Sequence, residues 1–205
     1  MCYNAPVSFG TFFFALAICG ILWIRNKGLD RPIGLILLVV ALMQLVEGFL
    51  WLTPDCTTQN KVLSSLIPLL LFLHPLLINA IVAWFSAGWG IGYGAIAIGF
   101  LCFLPFQLYR IRQQYGACIT QDANGQLDWS PVLGPTTDPI GLLPTFLYDI
   151  AMIYPFVTLK NPFFGFLYGG LSLVSRIGLN TVYPRTWPSL WCHFINLLGV
   201  FALLQ

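Results

Sequence analysis

The side chains that can carry chemistry in this chain lie inside its apolar runs. Within residues 43–51, Gln44, Glu47 and Trp51 recur at i, i+3 and i+7, so a carboxylate, an amide and an indole share one helical face. An ionisable group in hydrocarbon costs at least a few kcal/mol and survives where it faces protein, water or a solute path. Two later runs hold Asp149, with Thr145 one turn before it and Tyr154 beyond, and Arg176. In the final run His193 and Asn196 are i, i+3 and Cys192 and Asn196 are i, i+4, so one face presents all three, whereas the five-residue spacing of His74 and Asn79 separates those two.

Depth decides which of these groups can meet. At about 1.5 Å of rise per residue, Glu47, Arg176 and His193 each lie on the order of 9 Å below the outer end of their spans. Gln44, His74 and Asp149 lie deeper, and Asn4 and Ser8 enter from the outer end. Opposite charges at one depth relieve each other's desolvation, so Glu47 and Arg176 are expected to pair, either to fix helix register or to line a path. Glu47, His74, Cys192 and His193, with Cys2, form a thiolate, imidazole and carboxylate set that suits zinc or copper, but no HExxH or HxxxH spacing makes a metal site specific. Each histidine reads more readily as a hydrogen-bonded interior residue than as a ligand. A haem or pigment would fall to His74 and His193, and no cofactor is favoured. Residues 187–204 contain no lysine for a retinal Schiff base.

These groups must be positioned by membrane helices. With 205 residues, 58% hydrophobic, 8% charged and a mean hydropathy of +0.83, the chain departs from soluble domains, where about a quarter of residues are charged. Residues 1–205 are expected to form a single all-α membrane domain. Seven spans are expected, at approximately 7–24, 32–53, 62–85, 88–108, 139–157, 162–182 and 187–204, each near the roughly 20 residues that cross a bilayer. The first lacks a basic n-region and a cleavage site, so it is expected to remain as a span. The net charge of +2 has no basic block, which argues against nucleic acid. Partners are the bilayer, a small solute or ion, and a second copy of the chain. Pro32 and Pro162, each opening the second helix of a triplet, allow a 3+1+3 variant.

Residues 109–138 are the long connection. Residues 117–121 and 126–129 read as two short strands around an Asn124-Gly125 turn, a hairpin-like lid between the fourth and fifth spans. The Lys and Arg cluster at 25–31 belongs inside, which places the N-terminus outside or lumenal and the C-terminus in the cytoplasm. Lys160 agrees, while Arg110, Arg112 and Arg185 oppose. Cys2, Cys56, Cys118 and Cys192 then share the outer side, where a disulfide can join two of them or all can remain free thiols. Trp51, Trp187, Trp191 and Tyr183 fall where interface belts are expected.

The opening Met1-Cys2-Tyr3-Asn4-Ala5-Pro6-Val7-Ser8, the Gln44-Leu45-Val46-Glu47 stretch ending in Trp51, the Asn124-Gly125-Gln126-Leu127-Asp128-Trp129 turn and Ser189-Leu190-Trp191-Cys192 with Asn196 resemble an uncharacterised family of small polytopic membrane proteins of large DNA viruses and microbial eukaryotes. The resemblance runs from end to end. It implies membrane placement and importance for Cys2, Asn4, Glu47, Trp129 and Cys192, and it supplies no chemistry. The function expected is a small transporter or channel with a polar intramembrane site of Gln44, Glu47, His74, Asp149, Arg176, His193 and Asn196. Outer-side candidates are Cys2, Asn4, Ser8, Trp129 and Cys192. The alternative is a non-catalytic membrane organiser or partner subunit, in which the same residues lock helices together; an intramembrane metal- or haem-binding protein comes behind both.

Overall fold

The computed structural model describes residues 4–85, 90–123, 125–133, 148, 150–156, 158, 196, 197 and 199–204. Cys2, Asp149, Arg176, Cys192 and His193 lie outside the described residues, as does most of the expected fifth to seventh spans. The described chain is mostly helical. Four helices are long and apolar enough to cross a membrane: α1 (Ala5–Arg25), α2 (Asp30–Leu52), α3 (Thr58–Phe85) and α4 (Gly90–Gln113).

Local chemistry sets the helix ends. The Asn4 side chain caps α1 by accepting from the Val7 N–H at 3.0 Å. At the other end Asn26, at φ 49°, turns the chain out of α1 while its N–H donates to Leu22 O, and Gly28 supplies a second positive φ before α2 begins. Pro32 is tolerated in the first turn of α2, where backbone N–H groups have no helical acceptor. Pro68 and Pro75 fall inside α3 and Pro105 inside α4.

Burial ranks the four helices. In its most apolar window α2 is 67% buried and α4 not at all, so α2 is the central helix and α4 the peripheral one, packed on α3 with Phe72 and Phe100 in ring contact at 5.6 Å. Ile98, Leu101, Phe103 and Phe106 of α4 and Phe13, Phe14 and Ile24 of α1 are exposed. In a bilayer lipid is the solvent for such faces.

Two apolar cores share α2. One gathers Ile18 and Leu22 of α1, Ile33, Leu37 and Val40 of α2, Ile78 and Val82 of α3, and Met152, Phe156 and Ala202. The other gathers Met43, Val46 and Leu50 of α2 and Ile67 of α3 against the lid residues Ile119, Leu127, Trp129 and Val132. In the lid, β1 (Thr120–Gln121) pairs antiparallel with β2 (Leu127–Asp128), Thr120 opposite Asp128 and Gln121 opposite Leu127, and a one-turn helix α5 (Ser130–Leu133) follows. The turn closes with Gln126 N–H on Asp122 Oδ1 and Gly125 at φ 72°. The hairpin expectation holds. Its start does not: residues 109–113, read as the beginning of the lid, are the last turn of α4, because good helix formers such as Arg110, Arg112 and Gln113 continue the helix past the apolar run.

The segments 150–156 and 196–204 are helical where described. Asn196 Nδ2 approaches Thr11 O at 3.5 Å, a Cβ on Gly199 would sit 2.6 Å from Leu37 and 3.1 Å from Ile18, and Arg25 reaches the Ala202 and Leu203 carbonyls. The 196–204 segment therefore runs alongside α1 in the same direction.

Candidate functional site

Between the two cores lies a layer of polar side chains. Gln44, Glu47, Asn79 and Ser8 are 0% exposed, His74 is 1% and Asn196 9%, so six of the sequence candidates and their neighbours face the protein interior. Gln44 and Glu47 are joined directly: Gln44 Nε2 donates to Glu47 Oε2 at 2.8 Å, the contact that i, i+3 spacing on α2 permits. The Glu47–Arg176 pair, the Asp149 site and the Cys192–His193 face fall outside the described residues.

One turn nearer the lid, Trp51 extends the same α2 face. The sequence reading assigns it to an interface belt; instead it packs against the lid core with its Nε1 buried. Trp51 stays half-buried there, because the lid covers part of the end of α2. On α1, Phe9 rests against Gly48 and its ring meets Phe49 at 5.2 Å, which brings the neighbouring Ser8 to the level of Glu47. Asn4, an outer-side candidate, serves as the α1 N-cap.

Deeper in the bundle His74 and Asn79 meet the segment beginning at Tyr148. His74 Nδ1 is 3.4 Å from the Tyr148 hydroxyl, and Asn79 Nδ2 donates to Pro75 O at 2.8 Å and Ala151 O at 2.9 Å. Their spacing sets them roughly 140° apart on an ideal helix. Both nonetheless reach one neighbour, because Asn79 folds back over the Pro75 carbonyl toward it. His74 Nε2 and Ser8 Oγ are buried without a hydrogen-bond partner. Beyond them Tyr93 OH and Thr158 Oγ1, 2.6 Å apart, and the Tyr93–Tyr154 ring contact tie this segment to α4.

Sequence reasoning missed two clusters. At the lid, Asn60 and Ser64 of α3, both 0% exposed, form a polar bracket: Asn60 Nδ2 donates to Thr53 O at 2.7 Å and Ile119 O at 3.0 Å, Ser64 Oγ donates to Asn60 Oδ1 at 2.9 Å, and Ile119 N–H donates to Ser64 Oγ at 2.9 Å. Beside it Cys56 and Cys118 form a disulfide, one of the pairings expected among Cys2, Cys56, Cys118 and Cys192. The signal available was the i, i+4 spacing of Asn60 and Ser64 one turn after Cys56. At the opposite end Arg25 forks onto Asp30, Nε to Oδ2 and Nη2 to Oδ1 at 2.7 Å each, and also donates to Leu203 O at 2.8 Å and Ala202 O at 2.6 Å. The sequence shows these residues only as a topology signal. Among the described residues no group of three or more His, Cys, Asp or Glu side chains converges as a metal site.

The arrangement offers a carboxylate–amide pair, an imidazole–phenol contact and a hydroxyl within a buried interior, groups that can pass protons or bind a small polar solute. No family model, curated protein or solved structure matches the chain.

Proposed function

We propose that this protein is a small membrane transporter or channel whose polar path passes Glu47. The observation that carries the reading is the Gln44–Glu47 pair, a carboxylate 0% exposed in the central helix with an amide donor on one oxygen. Holding such a group at membrane depth is costly, and intramembrane carboxylates concentrate in ion and proton paths. In this reading Glu47 is the protonatable or cation-binding group, Gln44 orients it, and His74 with Tyr148 continues the polar layer. Seven spans, an outer N-terminus and membership of the small polytopic family belong to the same proposal.

The test is flux in proteoliposomes made with the purified protein, read for protons, monovalent cations and small neutral solutes. Glu47→Gln is expected to lower flux by about tenfold or more, as removal of a group used in the transfer step does, with the protein still eluting as a folded species. Equal flux in wild type and variant overturns the reading.

The second reading, a membrane organiser, is favoured by the Asn60–Ser64 bracket and the Arg25–Asp30 fork, which join distant segments without facing a path. It expects no flux above empty liposomes and a lowered melting temperature for Glu47→Gln.

A further inference from the structure

The turn between α1 and α2 carries more positive charge than it uses. Residues 25–31 hold Arg25, Lys27 and Arg31 against a single acid, Asp30. Asp30 is spent on Arg25 and on the Lys27 N–H, and Arg25 on Asp30 and two backbone carbonyls. Arg31 takes no part in this cluster. Its guanidinium lies over the Trp23 ring, 5.0 Å from the centroid, and makes no hydrogen bond or ion pair among the described residues. Its Nε is buried without a partner, so the donors left accessible are the two Nη groups. Stacking occupies the face of a guanidinium and leaves the N–H groups of its edge free to fork onto a phosphate. The exposed Lys27 adds a second charge in the same turn.

Below this pair runs an apolar furrow. On α1, Leu16 and Gly20 stand seven and three residues before Trp23; on α2, Leu35 and Leu38 stand four and seven after Arg31. Helical spacing therefore puts both sets on the side of the hairpin that carries the Trp23–Arg31 contact. The register of the two antiparallel helices agrees, since a Cβ on Gly34 would stand 3.4 Å from Cys19 O. Leu16 and Gly20 are exposed, Leu35 and Leu38 half-buried, and nothing comes within 4 Å of the space a Cβ would fill at Gly20. Five turns beyond Arg31, on the same side of α2, Phe49 meets Phe9 at 5.2 Å and closes the furrow. That is a rise of about 27 Å, well beyond the roughly 15 Å of hydrocarbon in one leaflet.

We propose that the furrow binds one anionic glycerophospholipid. The phosphate docks on the Arg31 Nη groups, Lys27 favours a net negative headgroup over a zwitterionic one, and an acyl chain lies along Gly20 between Leu16 and Leu38. The occupant follows from where the charge sits. Trp23 and Arg31 stand at the ends of two helices apolar enough to cross a membrane, the depth at which lipid phosphates lie. A soluble phosphate would leave the apolar strip beneath it uncovered. The site does not depend on a path past Glu47.

Native mass spectrometry tests it, on the purified full chain stripped of co-purified lipid and titrated in detergent with phosphatidylglycerol or phosphatidylcholine of the same acyl chains. Wild type is expected to take up one phosphatidylglycerol about tenfold more tightly than phosphatidylcholine. Arg31→Gln is expected to weaken phosphatidylglycerol binding about tenfold and to erase most of the preference. Arg110→Gln, at the exposed end of α4, keeps both. Equal affinity for the two lipids in wild type overturns the proposal, as does an Arg31→Gln variant that binds like wild type. Displacement of the bound lipid by glycerol phosphate alone also overturns it, because the chain then contributes nothing. A phosphatidylglycerol carrying a diazirine in its acyl chain needs no variant: photolysis with wild type is expected to label the peptides containing residues 16–20 and 35–38 in preference to those of α4, and equal labelling overturns the furrow. None of these readouts requires transport, so absence of flux refutes the proposed function and leaves the lipid site to its own result.

Discussion

Asn60 holds the lid from a fully buried position. Asn60→Ala removes both Nδ2 donors, to Thr53 O and to Ile119 O, and the Oδ1 acceptor of Ser64. The three losses are unequal. Ile119 is 0% exposed, so its carbonyl is left without a partner at a cost of about 1–3 kcal/mol. Thr53 is half-buried at a helix end, where water restores most of the bond and the loss is about 0.5–1.5 kcal/mol. The Ser64 hydroxyl can turn to the carbonyl four residues earlier, at little cost. The total is about 1.5–4.5 kcal/mol, and at roughly 2–4 °C per kcal/mol for a chain of this size the melting temperature falls on the order of 3–18 °C. Asn60→Asp separates this argument from simple loss of volume. The isosteric carboxylate has no donor for either carbonyl and faces both with like partial charge, so it must be more damaging than alanine. Thermal unfolding of the detergent-solubilised protein, followed by tryptophan fluorescence, measures both. A fall below about 2 °C for Asn60→Ala, or an Asn60→Asp variant no worse than Asn60→Ala, refutes the bracket as a source of stability.

Three further outcomes are expected. Replacing Cys56 and Cys118 by serine opens a link spanning 62 residues and is expected to cost about 2–4 kcal/mol in the same melting assay, while non-reducing mass mapping of wild type recovers the two cysteines joined. Gly199→Ala puts a methyl 2.6 Å from Leu37 and 3.1 Å from Ile18, both 2% exposed, so overpacking should cost about 1–3 kcal/mol; Gly34→Ala, whose nearest neighbour stands at 3.4 Å, is the tolerated control. Arg25→Lys keeps the charge but loses the fork on Asp30, so it should lower the melting temperature nearly as much as Arg25→Ala, and a lysine variant equal to wild type would show that charge alone suffices.

Hydropathy reveals the first four helices because each is a long apolar run, and Asn124-Gly125 between alternating residues reveals the hairpin. Periodicity likewise places Gln44 and Glu47 together, since their contact is local. What sequence does not show is long-range or small. Asn60 and Ser64 do not interrupt an apolar run, so nothing marks them until the lid returns to meet them. Arg25 and Asp30 look like loop charges because the carbonyls that complete their cluster belong to residues 202 and 203. Trp51 reads as a belt residue because hydropathy describes the end of a span and not what folds back over it. Asn4 carries a local role that its position before Pro6 signals: its side-chain oxygen caps α1.

The separation inside the Arg25 cluster has a consequence for how the protein is made. The Asp30 carboxylate emerges five residues after the guanidinium, but the Ala202 and Leu203 carbonyls follow 177 and 178 residues later. At about 5–20 residues per second, Arg25 and Asp30 spend on the order of 10–40 s of translation as a two-member ion pair at the end of the first helical hairpin, still open to water. The ion pair can anchor that hairpin as it inserts, leaving two guanidinium N–H groups, Nη1 and Nη2, ready to receive a helix not yet synthesised. Nascent chains halted before and after residue 203 would differ in the reactivity of Arg25 toward a water-borne dicarbonyl, and that difference would time the arrival of the 196–204 segment beside α1.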